Sequence, residues 1–490
     1  MPQFYTEEEA VTAVKKLISQ KMLHFARRSA YQALRDYPDS RKIRYLNAFI
    51  ALELKDYVTA SVILEQLNIE DPEQGEILKS LCNVWNGLGD MDKAIMYNNQ
   101  LQELTGLKTQ AILASADIYE RNNKVAKADE ELAKLPANIL EHPHNVIIRS
   151  RILISKKEYE SAVDLLLKYE DRMIELEELN QITALFMLTK AYDKLGEYDK
   201  AWEVSTKAHS LSTLPFDPDY FFKQHTEMRE FMSSGILEAL VQCPTTEVEP
   251  LFIVGNPRSG TSLLEQIIGM HPDIENCGEM SVGVKMQLEL PALTDSYHQW
   301  PNNLIDMQVE DAMKLADMYL EAASHSRNGE KILSNKALNL PIQVGFLSKV
   351  LPSSRAIMLH RHPLDNAVSC YTTNLLAAGH PYTNKLEDLG RVWVERKKLA
   401  DMWMEILSIP VMELHYENLV ADQRGETERL IKFLDLPWAE DCMQFHKSKR
   451  VAKTISYDQV NKKMYKTSSG RWKNYEKHLA PIIDIVSDYI

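Results

Sequence analysis

The stretch "LFIVGNPRSGTSLLEQIIGMH", residues 251–271, indicates the architecture of the second half of the chain. It begins with an apolar run typical of a buried strand, passes through a loop bounded by Gly255 and Gly260, and ends as an amphipathic helical pattern. The glycines have the spacing of the nucleotide-binding loop G-x-x-x-x-G-K-[ST], whose backbone N–H groups surround a phosphate. Thr261 stands where that loop has lysine, and the cation is Arg258 instead. The stretch therefore predicts an anion-binding strand, loop and helix that differ from those of an ordinary ATPase.

Three further apolar runs extend this pattern into an α/β domain. They are "KILSN" near residue 331, "AIMLH" near 356 and "VMELHY" near 411, and each precedes a loop and a helical pattern. In such folds phosphate ligands bind at the carboxyl ends of the strands. None of the runs ends in the aspartate that would hold Mg²⁺ in a triphosphate-cleaving enzyme. We therefore expect a phosphate site without a metal.

The first 215 residues carry an internal repeat. Five stretches ending in alanine resemble one another ("KDYVTA", "GDMDKA", "NKVAKA", "KEYESA", "GEYDKA"), and a weaker one, "KMLHFA", precedes them. The alanines are Ala26, Ala60, Ala94, Ala128, Ala162 and Ala201, with successive gaps of 34, 34, 34, 34 and 39 residues. Thirty-four residues is the tetratricopeptide (TPR) period, which predicts stacked helix pairs with a concave face. That face could bind an extended peptide, or serve only for dimerisation or packing.

These patterns divide the chain into three parts. We expect about six TPR repeats over residues 1–215, a bridging helix and a proline-bounded linker over 216–248, and the α/β domain over 249–490. The predicted fold class is thus an N-terminal α-solenoid followed by a P-loop-like α/β domain with a central parallel sheet.

Composition restricts the partners and the compartment. The net charge of -14 argues against general nucleic-acid binding. Five scattered cysteines without a C-x-x-C pair suit a reducing compartment and give no metal or disulfide framework. No signal peptide or apolar run of membrane-spanning length is visible. A cytoplasmic protein is expected.

The loop and a second motif together resemble a known enzyme family. "PRSGTSLLEQIIGMHPDI" resembles the 5′-phosphosulfate loop of sulfotransferases of the tyrosylprotein and heparan type. "RAIMLHRHPLDNAVSCY" supplies Arg361 and Ser369, which match the arginine and serine that grip the 3′-phosphate in that family. The whole chain is similar to bacterial TPR–sulfotransferase fusion proteins. The resemblance implies 3′-phosphoadenosine 5′-phosphosulfate (PAPS) as sulfuryl donor, 3′,5′-ADP as product, and no metal.

The resemblance also assigns roles around the donor's sulfate end. Glu279, in "NCGEM", matches the general base that takes the proton of an acceptor hydroxyl, and Lys336 matches a lysine beside the sulfate and the bridging oxygen. Arg258 is expected to act with them. Met280 replaces a second acidic residue that the family often has, and His271 is a rival base by residue type, although capping or packing suits it better. The loop residues expected to hold the 5′-phosphate and sulfate are Pro257, Arg258, Ser259, Gly260, Thr261 and Ser262.

Four more residues would complete the donor site. Tyr416 matches a tyrosine beside the adenine. Ser456 and Arg471 match positions that finish the grip on a phosphate, and Trp472 could cover the nucleotide. One departure is His362, which stands where the family usually has aspartate after the arginine of the 3′-site.

Two other functions stay open at the level of the sequence. One is an atypical P-loop kinase or NTPase, against which Thr261, the absent Mg²⁺ carboxylate and the Arg361–Ser369 motif all speak. The other is a TPR scaffold whose sulfotransferase domain is inactive. The acceptor could be a protein tyrosine, held as a peptide by the TPR groove, or a glycan, a lipid or a small molecule.

Overall fold

The computed structural model describes residues 6–20, 22–104, 106–246, 248–324, 329, 331–448, 464 and 468–490. The chain forms two compact units, Met1–Glu158 and Tyr159–Ile490. In the described part of the chain, no helix combines the length and apolarity needed to cross a membrane.

The first unit consists of antiparallel helix pairs. Its helices are α1 (Glu7–Ser19), α2 (Leu23–Asp36), α3 (Arg41–Glu53), α4 (Tyr57–Glu70), α5 (Gly75–Leu88), α6 (Met91–Glu103), α7 (Lys108–Arg121), α8 (Val125–Leu132), α9 (Ala137–Leu140) and α10 (Pro143–Ser155). Pro38 and Pro72 each lie two residues after the end of a helix, where a residue without an N–H group interrupts no helical hydrogen bond.

The second unit begins with more helices and continues into the sheet domain. The helices are α11 (Tyr159–Lys168), α12 (Glu170–Met173), α13 (Glu178–Leu195), α14 (Tyr198–Leu211), α15 (Pro218–Phe231), α16 (Leu237–Ala239), α17 (Thr261–Ile268), α18 (Val282–Leu293), α19 (Val309–Ser324), α20 (Leu340–Val350), α21 (Pro363–Tyr371), α22 (Leu386–Ile406), α23 (Tyr416–Ala421), α24 (Gln423–Phe433) and α25 (Ala480–Val486). A 3₁₀ helix, Arg471–His478, precedes α25.

The repeat alanines explain why the helices pair closely. Each of the six is fully buried and is the fourth residue of its helix, in α2, α4, α6, α8, α11 and α14. Five residues before each of the last five alanines, the backbone is left-handed, with φ between 57° and 82°; these residues are Lys55, Gly89, Asn123, Lys157 and Gly196. The tight turn between paired helices thus has the same backbone conformation in every one of these repeats.

A five-stranded parallel sheet forms the core of the second unit. Its strands are β1 (Glu249–Gly255), β2 (Ile274–Asn276), β3 (Ile332–Asn335), β4 (Arg355–His360) and β5 (Val411–His415), in the order β2-β3-β1-β4-β5. The four predicted strands are confirmed, whereas β2 was not predicted. Because all strands are parallel, their carboxyl ends meet at one edge of the sheet.

Both faces of the sheet are covered by helices, so the strands are apolar on both sides. Phe252 and Val254 pack into the core formed with α18, α19, α20 and α22. Leu251 and Ile253 point the other way, into the core formed with α17 and α24. Because β1 is packed on both faces, the start of the loop that follows it is held at the carboxyl edge of the sheet.

Candidate active site

The loop between β1 and α17 has a backbone that only small or strained residues adopt. Gly260 has φ 107° and Arg258 has φ 66°, both in the left-handed region. A Cβ on Gly260 would lie 2.5 Å from Cδ2 of Tyr416, so this glycine is required by its backbone angle and by the close ring. Gly260 is also the N-cap of α17 and provides no side-chain cap, which suits a helix end that receives an external anion.

In the structure, the loop predicted to bind the 5′-phosphate and the Arg361–Ser369 motif predicted to bind the 3′-phosphate lie in contact. Arg258 Nε donates to Ser369 Oγ at 3.1 Å, and Arg361 Nη1 donates to the Arg258 carbonyl at 2.7 Å. The Arg361 side chain is buried, and its guanidinium lies over the Tyr416 ring, 4.7 Å from the ring centroid. These groups meet because β1 and β4 are neighbours, with Gly255 paired to Leu359.

Some polar atoms at this place have no hydrogen-bond partner in the described part of the chain. Ser259 Oγ and Arg361 Nε are both buried and make no hydrogen bond with the described residues. Ser259, Arg361 and Arg396 line a cavity of about 20 Å³. Buried donors of this kind need an acceptor, and a small polar cavity holds water or an anion. A cavity of about 20 Å³ accommodates one water molecule or one oxygen atom of an anion, so these buried donors suit an ordered water or a phosphate oxygen.

Glu279 and Lys336 form an ion pair at the edge of the sheet. Lys336 Nζ lies 2.8 Å from Glu279 Oε1; the lysine side chain is 2% exposed and the glutamate side chain 38% exposed. The Lys336 N–H donates to the Gly278 carbonyl at 2.9 Å, which fixes the two segments side by side. A buried cation beside a partly exposed carboxylate suits proton removal next to developing negative charge.

Glu265 connects this pair to the loop helix. Its Oε1 accepts hydrogen bonds from the Gly278 N–H at 2.9 Å and from Ser334 Oγ at 3.1 Å. Since Glu265 lies on α17, the helix that begins at the loop also holds the backbone next to Glu279. Sequence reasoning missed this residue, because an acidic side chain on a helix gives no sign of which segment it will bind.

The closing segment contacts His362, α13 and the end of α21. Trp472 stacks on His362, with ring centroids 5.7 Å apart and planes 6° apart. Arg471 Nη2 donates to Asp193 Oδ1 at 2.6 Å and to Thr372 Oγ1 at 3.3 Å. Ser456, the other residue expected there, lies outside the described residues.

Asp365, three residues after position 362, is a buried carboxylate that binds the closing segment. Its two oxygens accept from the Gly470 N–H at 2.6 Å and the Trp472 N–H at 2.8 Å. Arg361 Nη2 donates to the Ser468 carbonyl at 2.8 Å, so the same segment is held twice. Asp365 stands four residues after Arg361 in "RHPLDN" and could have been considered from the sequence.

The remaining candidates have ordinary structural surroundings. The Pro257 carbonyl accepts from Asn366 Nδ2 at 2.8 Å, while Thr261 is buried and Ser262 is half-buried as the first residues of α17. His271 is buried, and its Nε2 donates to the Pro437 carbonyl at 2.9 Å, so the structure places it in packing. The structure contains no cluster of three His, Cys, Asp or Glu residues suited to a metal ion within the described ranges.

Two buried groups near the loop have displaced pKa values. Burial raises the pKa of the Cys370 thiol to about 12, although Arg258 and Arg361 nearby act in the opposite direction. Burial, with Lys397 and His415, lowers the pKa of His360 to about 4. The thiol is therefore protonated and the imidazole neutral at pH 7, and neither adds charge to the site.

Comparison with known proteins shows which family the sequence around this site resembles. Residues 250–440 match the model of the sulfotransferase family. These residues form a sulfotransferase-family domain.

Relatives of the sulfotransferase domain include named enzymes. Over 207 residues it is 24% identical to protein-tyrosine sulfotransferase 1 of Danio rerio, covering 40% of this chain and 55% of that protein. Cytosolic sulfotransferase 15 of Arabidopsis thaliana is 27% identical over 153 residues, 28% of this chain and 42% of that protein. An uncharacterized protein of Aquifex aeolicus is 25% identical over 92% of this chain and 55% of its own length. The chain thus spans about half the length of the curated relatives it matches.

Solved structures with some similarity fall into two groups. The sulfotransferase domain of the Synechococcus PCC 7002 olefin synthase has a TM-score of 0.34 and 18% identity, covering 48% of this chain and 90% of its own. PilW, a type IV pilus biogenesis factor, has a TM-score of 0.36 and 18% identity, covering 44% of this chain and 96% of its own.

Proposed function

We propose that the protein is a PAPS-dependent sulfotransferase that transfers the sulfuryl group to an acceptor hydroxyl, with Glu279 as general base. The observation that carries this proposal is the hydrogen bond between Arg258 and Ser369. A second hydrogen bond, from Arg361 to the Arg258 carbonyl, supports it. Two motifs more than 100 residues apart, each matching one phosphate grip of the donor, meet in a single site. The buried donors Ser259 Oγ and Arg361 Nε are suited to such a ligand.

Bound PAPS supplies an electrophilic sulfuryl group on a phosphate leaving group. The chain's own groups then have distinct tasks. Arg258 and the start of α17 bind the 5′ end, while Arg361 and Ser369 bind the 3′-phosphate. Tyr416 supports both ends, because its ring contacts the Arg361 guanidinium and lies next to Gly260.

Proton transfer is assigned to the ion pair at the sheet edge. The Glu279 carboxylate accepts the proton of the acceptor hydroxyl, and its partly exposed side chain leaves room for an acceptor to approach. Lys336 Nζ, already 2.8 Å away, orients that carboxylate and stabilises negative charge beside it.

We further propose a protein tyrosine as the acceptor. The support is the similarity of the sulfotransferase domain to proteins named protein-tyrosine sulfotransferases in Danio rerio and Gallus gallus. The helical repeats provide a surface of the kind that holds extended peptides.

The donor proposal is tested by ligand-induced stabilisation of the full chain. We expect 3′,5′-ADP to raise the melting temperature without Mg²⁺, because the site is built from cations and N–H groups, and we expect ATP with Mg²⁺ to leave it unchanged. Arg258→Ala should abolish the shift, whereas Arg424→Ala, which changes an exposed arginine of α24, should not. Stabilisation by ATP with Mg²⁺ alone would favour an NTPase and contradict the proposal.

The acceptor proposal needs a separate experiment. Incubation with ³⁵S-labelled PAPS and tyrosine-containing peptides should yield alkali-stable labelled tyrosine. Label found only on glycans or lipids would overturn the tyrosine acceptor while leaving the donor assignment intact. Absence of transfer to any acceptor, despite 3′,5′-ADP binding, would indicate an inactive domain.

A further inference from the structure

Asp193 is a mostly buried carboxylate near the end of α13, in the last helical hairpin. Its Oδ1 accepts from Arg471 Nη2 at 2.6 Å and from the Tyr475 hydroxyl at 2.7 Å, and its side chain is only 9% exposed. Burial alone would raise the pKa of Asp193, but Arg471 and Lys194 hold it below the ordinary value. The group is therefore a carboxylate at neutral pH, with two of its hydrogen bonds directed to the 3₁₀ helix Arg471–His478.

The same hairpin holds the helix that carries Ser369. His209 of α14 donates from Nε2 to the Tyr371 carbonyl at the end of α21, at 2.9 Å. The Tyr371 ring stacks on Trp202 at 4.5 Å between centroids, and its hydroxyl donates to Thr206 Oγ1 at 3.1 Å. The hairpin thus packs against the end of α21 by stacking and by hydrogen bonds.

The backbone next to Arg471 is fixed from the opposite side. Asp365 accepts from the N–H groups of Gly470 and Trp472, and Arg361 binds the Ser468 carbonyl. These contacts set where the Arg471 side chain leaves the backbone. Asp193 and, more weakly, Thr372 then determine where its guanidinium points.

The position of Thr372 shows that the Arg471 guanidinium lies near the residues proposed to bind the 3′-phosphate. Thr372 is the C-cap residue of α21 and lies three residues, about one helical turn, after Ser369. A guanidinium at 3.3 Å from Thr372 Oγ1 therefore lies beside the helix of the 3′-phosphate grip. Arg471 offers five N–H donors in a planar fork, so binding one carboxylate leaves others for a phosphate.

We infer that Asp193 is a positioning residue for the nucleotide: it holds Arg471 in the orientation that binds the 3′-phosphate, which makes the last helical repeat part of the nucleotide site. This inference rests on the proposed function. Its physical basis is preorganisation, since a guanidinium already fixed by a carboxylate loses less freedom when the phosphate binds. The ligand class is a 3′-phosphorylated nucleotide.

The test uses the full-length chain and the charge-removing variant Asp193→Asn. We expect the Kd for 3′,5′-ADP and the KM for PAPS to rise about tenfold or more, with kcat changed by less than about threefold, because one partner of a largely buried charge pair is removed. Asp199→Asn is the matched control. It removes an exposed carboxylate that pairs with Lys477 and His478 of the same 3₁₀ helix, and should change either constant by less than about twofold.

A second comparison separates positioning from general structural support. If Asp193 acts through Arg471, adding Asp193→Asn to Arg471→Met should weaken 3′,5′-ADP binding no further. Additive losses, or an affinity of Asp193→Asn equal to that of the unmodified chain, would overturn the inference but not the proposed function. If the unmodified chain itself fails to bind 3′,5′-ADP, the proposed function fails.

Should Asp193→Asn not fold, Asp193→Glu replaces it in the test, because the added methylene displaces the Arg471 guanidinium. An affinity for 3′,5′-ADP unchanged in Asp193→Glu would again overturn the inference.

Discussion

Glu279 has two partners in the proposed reaction, the acceptor proton and the Lys336 ammonium group. The ion pair of 2.8 Å keeps the carboxylate oriented, while Lys336 is almost fully buried and depends on that carboxylate for charge balance. Replacing the acid by its amide therefore has two separable consequences. The amide cannot take a proton, and the buried lysine loses its counter-charge.

We predict that Glu279→Gln lowers kcat by about 10²- to 10⁴-fold, because it removes the general base, while the Kd for 3′,5′-ADP changes by less than about threefold. Single-turnover transfer from labelled PAPS measures the first effect and calorimetry the second. Glu289→Gln, at an exposed position of α18, is the control for the loss of a surface carboxylate. A kcat within about threefold of the unmodified enzyme would exclude Glu279 as the base.

The loop after β1 depends on Gly260 as well as on its polar side chains. At Gly260 a φ of 107° is required, and an added Cβ would lie 2.5 Å from the Tyr416 ring that also supports Arg361. A methyl group here must displace either the loop backbone or that ring. Both movements disturb the anion-binding N–H groups.

We predict that Gly260→Ala weakens 3′,5′-ADP binding at least about tenfold while the chain stays folded, since the strain is confined to the loop. Gly106→Ala is the matched control, because Gly106 also has a positive φ, of 82°, but has no atom within 4 Å of the added Cβ. It should cost roughly 1 kcal/mol of stability and leave the affinity unchanged. Equal losses of affinity in the two variants would show that the effect is not local to the loop.

The elements that the sequence predicts are those with local periodicity. The alanines every 34 residues identify the helix pairs, and apolar runs of five or six residues identify β1, β3, β4 and β5. Strand β2 has three residues and no alternation long enough to recognise. The left-handed turn before each repeat helix is visible where it is glycine, as at Gly89, and hidden where it is Lys55.

At the scale of the whole molecule, contacts between distant segments could not be read from the sequence. Parallel strand ends predict that Arg258 and Arg361 converge, and the structure places them in contact. Three carboxylates at or near the site, Glu265, Asp365 and Asp193, bind segments 13 to 282 residues away. Only the complete fold decides which of many acidic side chains meets which N–H group.

Stability against pH is also a property of the whole second unit. Three histidines there are neutral in the folded state because burial lowers their pKa from 6.5: His225 and His360 to about 4, and His209 in the same direction. Arg396 and Arg229 add to the shift at His225, against Glu395, and Lys397 and His415 add to it at His360, against Asp401. In the unfolded chain these side chains titrate near their ordinary value.

The sign of the effect follows from the direction of the shifts. Between pH 6.5 and about 4 the unfolded chain binds more protons than the folded chain, so stability is complete above pH 6.5 and falls as the pH is lowered. The shift from 6.5 to about 4 corresponds to roughly 3 kcal/mol for each of His225 and His360. Urea midpoints at pH 7.5, 6 and 5 should therefore decrease steadily. His225→Gln should flatten the decrease and the exposed-site control His298→Gln should not, because the imidazole of His225 is buried in the folded state. A midpoint that stays constant from pH 7.5 to 5 would contradict the assignment of these histidines as buried and neutral.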